Sequence, residues 1–200
     1  TLIDRLRAQM ETSATQILIG TNGVSMALLE RRFDFTTRLY SAFTNTMSET
    51  VLLAREFAGT KESALFGMPD SYIEDQHAFA KLAGALELGA DVAVGVFQTR
   101  PEQRSKLGMC RIEKHRIVEV IDKPWQTDLE WAWGVLAWKP VWWQYMDASA
   151  PTIGDALPRA ISAGLNVMAV EMDGAYYDCG TPDEYFKLIR DLTEGTHATH

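Results

Sequence analysis

Apolar residues along the chain switch repeatedly between helix-like and strand-like spacing. In residues 2–10 they recur three or four positions apart, which is typical of one face of a helix. Residues 17–19 instead form a short apolar run that ends at the turn residues Thr21-Asn22-Gly23. This alternation predicts a layered α/β domain in which helices cover a sheet.

The same pattern continues to the end of the chain and predicts one domain over residues 1–192 with a polar tail at 193–200. Further helices are expected over residues 25–33, 48–57, 74–88 and 152–165. Further strands are expected over residues 38–44, 64–66, 91–98, 109–113, 116–122, 134–138 and 166–170. A capping box from Thr181 to Glu184, with Pro182 at its first helical position, predicts the start of the final helix.

The composition and charge of the chain argue against several classes of protein. The formal net charge of −8 argues against a nucleic-acid-binding protein, which normally carries a basic face. No apolar run approaches the roughly 20 residues that a membrane span needs. Cys110 and Cys179 lie far apart without metal-ligand or redox spacing, so we expect a reduced, cytoplasmic protein.

A local cluster of basic residues lies between residues 100 and 116 despite the acidic balance of the whole chain. Most of these side chains are expected on a solvated loop and strand edge. A few of them would be enough to bind a phosphorylated substrate. The cluster comprises Arg100, Arg104, Lys106, Arg111, Lys114 and Arg116.

Motifs of several common enzyme classes are absent from the sequence. It has no GxxxxGK[ST] phosphate loop, no GxSxG elbow and no HExxH motif. The four histidines do not cluster at metal-ligand spacing. P-loop NTPases, serine hydrolases and zinc enzymes are therefore disfavoured.

Four stretches combine apolar strands with polar residues at their ends. They are Leu65-Phe66-Gly67-Met68-Pro69-Asp70-Ser71, Val120-Ile121-Asp122-Lys123-Pro124, Trp131-Ala132-Trp133-Gly134-Val135-Leu136-Ala137-Trp138, and Tyr176-Tyr177-Asp178-Cys179-Gly180-Thr181-Pro182-Asp183-Glu184-Tyr185. A fifth stretch, Thr152-Ile153-Gly154-Asp155-Ala156-Leu157, opens a predicted helix. Each is weakly specific alone, and their order along the chain is more informative.

In that order the stretches resemble the sugar-nucleotide pyrophosphorylases, which are sugar-1-phosphate nucleotidyltransferases. The fourth is most similar to the bacterial UDP-glucose pyrophosphorylases, and the resemblance extends from residue 1 to about 191. It implies a three-layer, Rossmann-like (GT-A-like) α/β fold with a mixed, mostly parallel central sheet. It also implies transfer of a nucleotidyl group from a nucleoside triphosphate to a sugar 1-phosphate, with release of pyrophosphate.

The resemblance assigns roles to particular residues. Asp70 and Asp178 would hold Mg²⁺, a hard cation that binds carboxylate and phosphate oxygens together. Lys123 would hold the sugar phosphate as a compact charge. Each also has a purely structural interpretation, because Asp70 and Asp178 suit turns and Lys123 suits an exposed strand end.

Three further positions are implied to contact the sugar. Asp122 would accept hydrogen bonds from its hydroxyl groups, or would simply be solvated. Gly108 and Gly134 would let the backbone approach the sugar closely.

The sequence departs from the family in several places. The family opens with a strand and a glycine-rich loop that binds the triphosphate, and we expect this segment to precede Thr1 in a longer protein. A truncated relative, or completion of the sheet by another subunit, are the alternatives. The usual Gly-Thr-Ala stretch is replaced by Ser48-Glu49-Thr50, the usual Glu by Asp122, and the usual Asn by Ala132.

These departures leave a second function open. A non-catalytic relative would bind a nucleotide sugar or serve as a regulatory subunit. A glycosyltransferase of similar fold ranks lowest, because the residues around Asp70 supply no Asp-x-Asp motif. The six tryptophans, all between Trp125 and Trp143, are expected in the core or in a homo-oligomer interface.

Overall fold

A computed structural model describes residues 1–21, 29, 37–41, 43–59 and 61–194. The helix expected over residues 25–33 lies almost entirely outside these ranges. So do residues 195–200 of the expected tail, while residues 193 and 194 still belong to the last helix.

The elements of the described residues follow the predicted alternation of helices and strands. The helices are α1 (Leu2–Glu11), α2 (Met47–Ala58), α3 (Ala78–Glu87), α4 (Ala156–Ser162) and α5 (Pro182–Glu194). The strands are β1 (Ile17–Thr21), β2 (Thr37–Ser41), β3 (Ala64–Gly67), β4 (Ser71–Ile73), β5 (Val92–Gln98), β6 (Gly108–Glu113), β7 (Arg116–Asp122), β8 (Trp131–Trp138), β9 (Val167–Glu171) and β10 (Tyr176–Asp178). None of these helices has both the length and the apolar character needed to cross a bilayer.

Six of the strands form one mixed sheet in the order β3-β8-β5-β9-β7-β6, with an additional pairing between β8 and β6. The mixed α/β architecture is confirmed, but parallel pairing is rarer than expected. Within the described strands, β5–β9 and β1–β2 are parallel and the other pairs are antiparallel. One cause is local: Lys114 and His115 reverse the chain in two residues with φ of 48° and 65°, so β6 and β7 must be antiparallel.

Helices cover both faces of this sheet, as a three-layer fold requires. On one face, Leu6 of α1 and Phe79 of α3 pack in a core cluster that includes Phe97 of β5. On the other face, Val51 of α2 and Leu157 of α4 belong to a second cluster. Since β5 is buried on both sides, its sequence is almost continuously apolar.

Most of the tryptophans belong to the core, as predicted. Trp133, Trp138, Trp142 and Trp143 are buried, and the ring of Trp138 lies 4.7 Å from that of Trp142 and 5.2 Å from that of Trp143. Trp125 is the exception, because it is exposed in the loop after β7.

Two short strands were missed by the hydrophobic pattern. The helix expected from Glu74 begins only at Ala78, and the preceding residues 71–73 form β4. Strand β9 was expected to be the last, but β10 follows it. Each strand has only three residues, and each is held by a partner about a hundred positions away, so no local period reveals them.

Candidate active site

The antiparallel pair of β4 and β10 brings two distant parts of the chain together. Asp178 lies opposite Ser71, and the hydroxyl of Tyr176 lies 3.2 Å from Ser71 Oγ. Beyond the last pair, the backbone N–H of Cys179 donates to the carbonyl oxygen of Asp70 at 3.0 Å. The turn after β3 and the turn before α5 therefore form one continuous edge.

The carboxylates of Asp70 and Asp178 converge over Gly180. A Cβ atom placed on Gly180 would lie 3.2 Å from Asp178 Oδ1 and 3.3 Å from Asp70 Oδ2. Asp178 Oδ1 also accepts a hydrogen bond of 3.1 Å from the Gly180 N–H, which orients its side chain. Sequence reasoning predicted that these two acids meet, and the structure does bring them together.

The meeting of the two acids has an electrostatic cost. The pKa of Asp70 is raised, first by burial and then by the nearby charge of Asp178, and one backbone hydrogen bond partly opposes the rise. A pair of carboxylates held in this way favours a cation between them.

The donor set fits magnesium. Mg²⁺ usually takes one or two protein carboxylates and fills its remaining positions with water and substrate phosphate oxygens. Among the described residues, no group of three or more His, Cys, Asp or Glu side chains could enclose a metal. Asp70 and Asp178 supply two carboxylates, a number that Mg²⁺ commonly takes from a protein.

A cavity of about 480 Å³ opens beside Asp178, within the range of small-molecule sites. It lies between the segment that precedes β6, the turn after β7 and the start of α5. Asp178 and Lys123 both line it, whereas Asp70 does not. The lining comprises Gln103, Ser105, Lys106, Leu107, Lys123, Asp178, Gly180, Thr181 and Glu184.

Lys123 reaches this cavity from an unusual backbone conformation. Its φ of 42° is left-handed, and its N–H donates to the carbonyl oxygen of Leu107 at 3.1 Å. A lysine in this region carries roughly 1 kcal/mol or more of strain, and such strain tends to be kept at functional sites. The backbone of Lys123 is therefore fixed at the cavity by this turn.

Gly108 and Asp122 lie opposite each other at the ends of β6 and β7. Burial raises the pKa of Asp122, and the charge of Asp155 adds to the rise while Lys123 opposes it. A Cβ atom on Gly108 would lie 2.1 Å from Trp133 Nε1. The backbone at Gly108 is thus already approached by an indole ring of the chain itself.

The indole of Trp133 lies between two glycines, which sequence reasoning missed. A Cβ atom on Gly154 would lie 2.4 Å from Trp133 Cζ2, so both Gly154 and Gly108 are pressed against this ring. The available signal was a glycine beside an acid, Gly154-Asp155, at a predicted helix start. The aromatic partner could not be predicted, because it comes from a different strand.

Gly134 packs beneath the site. A Cβ atom there would lie 2.7 Å from Tyr176 Cε2 and 2.9 Å from Phe97 Cε2, two rings that stack at 4.5 Å. The pairing of β5 with β8 shifts register here, from Val135 to Trp133, and skips Gly134. Packing alone therefore requires a glycine, and contact with a sugar stays a prediction.

The comparisons with known proteins concern the family and the fold of the chain. A family model described as Nucleotidyl transferase matches residues 23–195. The chain belongs to the nucleotidyl transferase family. The predicted family is thereby confirmed, while the closer similarity to UDP-glucose pyrophosphorylases stays a prediction.

The chain also resembles a solved structure. That structure is of a Bacillus anthracis protein proposed to be a glucose-1-phosphate thymidylyltransferase, crystallised in complex with sucrose. The match has a TM-score of 0.79 at 17% identity and covers 100% of this chain and 84% of the relative. At this identity the likeness establishes the fold. A comparison with curated proteins by sequence finds no match.

Proposed function

We propose that this protein transfers a nucleotidyl group from a nucleoside triphosphate to a sugar 1-phosphate, with release of pyrophosphate, in a Mg²⁺-dependent reaction. The observation that supports this most is the convergence of Asp70 and Asp178 over Gly180, at the edge of a cavity that Lys123 also lines. The pair of carboxylates can hold a hard cation, and the separate ammonium can bind a phosphate. Positive charges at both places favour a reaction between two anions.

The proposed reaction is a substitution at phosphorus. An oxygen of the sugar phosphate bonds to the α-phosphorus of the triphosphate, the bond to the bridging oxygen breaks, and pyrophosphate leaves. Little acid–base chemistry is needed, so catalysis consists mainly of positioning the reactants and neutralising their charge.

Individual residues would divide this work. Asp70 and Asp178 would hold Mg²⁺, which when bound supplies charge neutralisation to the phosphates. Lys123 would bind the acceptor phosphate, and its turn would keep the ammonium directed into the cavity. Asp122 would accept hydrogen bonds from the sugar. The backbone beside Gly108 and Gly134 would come close to the sugar on any side that Trp133 and Tyr176 leave open.

Pyrophosphate release tests the proposal directly. The protein is mixed with Mg²⁺, each nucleoside triphosphate and a panel of sugar 1-phosphates. We expect one pair to give turnover, and we expect Asp178→Asn to lower the rate by about a hundredfold or more through loss of a metal ligand. Asp147→Asn is the matched control, because Asp147 is outside the cavity and pairs with Arg159.

Two outcomes would contradict the proposal. Unchanged turnover in Asp178→Asn would reject the metal assignment. Tight binding of a nucleotide sugar without turnover for any substrate pair would instead support a non-catalytic, nucleotide-sugar-binding relative.

A further inference from the structure

An ion pair joins two walls of the cavity. Lys106, in the segment that precedes β6, donates from Nζ to Glu184 Oε1 at 2.5 Å. Glu184 lies in the first turn of α5, and the partners are 78 positions apart. Both side chains line the cavity that Asp178 and Lys123 also line. The proposed function gives neither of them a role.

The cavity lining contains as many acids as lysines, so it offers a phosphate little net positive charge. Two lysines, Lys106 and Lys123, face two acids, Asp178 and Glu184. A phosphate monoester carries a charge between about −1.5 and −2 at neutral pH. With Lys106 committed to Glu184, Lys123 would be the one lysine of the cavity lining left to neutralise it beside the metal.

Lys106 is well suited to change partners. Its side chain is 60% exposed, whereas that of Glu184 is 19% exposed, so the carboxylate is the more fixed of the two. An exposed ion pair contributes little to stability, and a lysine carries its charge on a flexible stem. This ammonium can therefore move from the carboxylate to a phosphate in the same cavity, and the loss of its pair with Glu184 opposes that move.

The neighbouring cations of the same segment are engaged elsewhere. Arg104 pairs with Glu130, and Arg100 pairs with Glu102 while its guanidinium lies over the ring of Tyr177. Neither lines the cavity. Among the basic cluster noted in the sequence, Lys106 is the member that faces the candidate site.

We propose that Lys106 is a second phosphate-binding cation for the acceptor, and that Glu184 holds it at the cavity wall until the acceptor phosphate replaces the carboxylate. This inference rests on the proposed function for the identity of the acceptor, a sugar 1-phosphate. The phosphate site itself can be tested independently of turnover.

Substitutions of Lys106 and Glu184 should change the KM for the acceptor in opposite directions, which a merely structural ion pair would not do. We expect Lys106→Gln to raise the KM for the sugar 1-phosphate by about tenfold, while the KM for the triphosphate changes by less than about threefold. Lys106→Arg should recover part of the loss. Glu184→Gln should lower the KM for the acceptor, because it frees Lys106. Arg159→Gln, which breaks the remote pair with Asp147, is the matched control and should change neither KM.

Calorimetric titration with inorganic phosphate and with glucose 1-phosphate separates this inference from the proposed function. If turnover occurs and Lys106→Gln leaves the acceptor KM unchanged, the inference is overturned and the function stands. If no turnover is found but the unmutated chain binds either ligand more tightly than Lys106→Gln, the phosphate site stands and the function fails. Equal binding by both proteins, or no binding by the unmutated chain, overturns the inference.

Discussion

The N–H of Cys179 bonds to the carbonyl oxygen of Asp70 across 3.0 Å, and this contact places the side chain of Asp178 beside that of Asp70. The fold therefore holds two carboxylates together, and burial together with the charge of Asp178 raises the pKa of Asp70. In the absence of a cation this arrangement works against the folded state. Residues kept for function often carry such a cost in stability.

Magnesium should stabilise the chain through this pair. We expect Mg²⁺ to raise the thermal midpoint of the unmutated protein and to leave Asp70→Asn and Asp178→Asn unaffected, because a ligand that binds the folded state stabilises it. In the absence of metal, Asp70→Asn should raise the free energy of unfolding by a few tenths to about 1 kcal/mol, because a repulsion is removed. Differential scanning calorimetry with and without Mg²⁺ measures both effects.

The control for this prediction is Asp147→Asn, whose response to Mg²⁺ should match that of the unmutated chain. An undiminished Mg²⁺ effect in Asp178→Asn would show that the cation binds elsewhere.

A substitution at Gly134 tests whether packing explains this glycine. We expect Gly134→Ala to lower the free energy of unfolding by about 1–3 kcal/mol, because the methyl group would overlap the rings of Tyr176 and Phe97. Gly84 of α3 has open space around it, so Gly84→Ala should stabilise the chain by about 0.5–1 kcal/mol. Urea denaturation of both variants makes the comparison. A Gly134→Ala protein of normal stability that binds the sugar 1-phosphate poorly would instead favour a role in substrate contact.

Much of the candidate site could be predicted from the sequence, because each of the two acids lies next to a pattern that is visible in the local sequence. Asp70 comes after an apolar strand, and Asp178 comes just before the capping box predicted at residues 181–184; α5 does begin at Pro182, as predicted. Their convergence followed from the order of motifs shared with the family. The amphipathic helices and the β6–β7 hairpin also have local signatures, and the structure contains them.

The features that the sequence did not reveal depend on contacts between distant residues. The sequence around Gly108 does not show that Trp133 would lie against it, and the sequence around Gly134 does not show that Tyr176 would. The start of α3 was misplaced because Glu74 does not continue a helix; its side chain accepts a hydrogen bond of 2.7 Å from the N–H of Ala175. Such partners become visible only when the sheet is assembled.

A buried acid outside the cavity should make stability depend on pH. Asp75 accepts hydrogen bonds from the ammonium of Lys81 at 2.6 Å and from the N–H groups of His77 and Asp173 at 2.8 and 3.0 Å. Burial raises the pKa of Asp75, but these bonds outweigh it and leave the pKa below its usual value. The fold thus favours the carboxylate. Its contribution is complete above the unfolded pKa of about 3.9 and is lost as the pH falls through the lower folded value.

We therefore expect Asp75→Asn to cost about 2–4 kcal/mol at neutral pH, because it removes the buried partner of Lys81. The free energy of unfolding should also fall less steeply for this variant than for the unmutated chain between about pH 4 and pH 2. Urea titrations across this range measure it. Asp173→Asn is the control, because Asp173 binds the same lysine but is 89% exposed, and its loss should cost less than about 1 kcal/mol. Parallel acid profiles for Asp75→Asn and the unmutated chain would contradict the assignment.

The β6–β7 hairpin offers a stabilising change. Lys114 and His115 both have positive φ, as in a type I′ turn, where Asn and Gly are preferred. We expect the double substitution Lys114→Asn and His115→Gly to raise the free energy of unfolding by about 1 kcal/mol, because neither residue would then be strained. The carbonyl of residue 115 would still accept the bond from Ala169. Thermal denaturation gives the answer, and a lower midpoint would show that the present side chains stabilise the turn.

The pairing of β4 with β10 also has a consequence for when the carboxylate pair is completed during synthesis. Half of the carboxylate pair emerges early, with Asp70, and the other half arrives more than a hundred residues later, just before α5. A nascent chain halted just after β9 would contain all six strands of the central sheet but only one of the two carboxylates. The two carboxylates therefore come together in one late step, when the final strand pairs with β4.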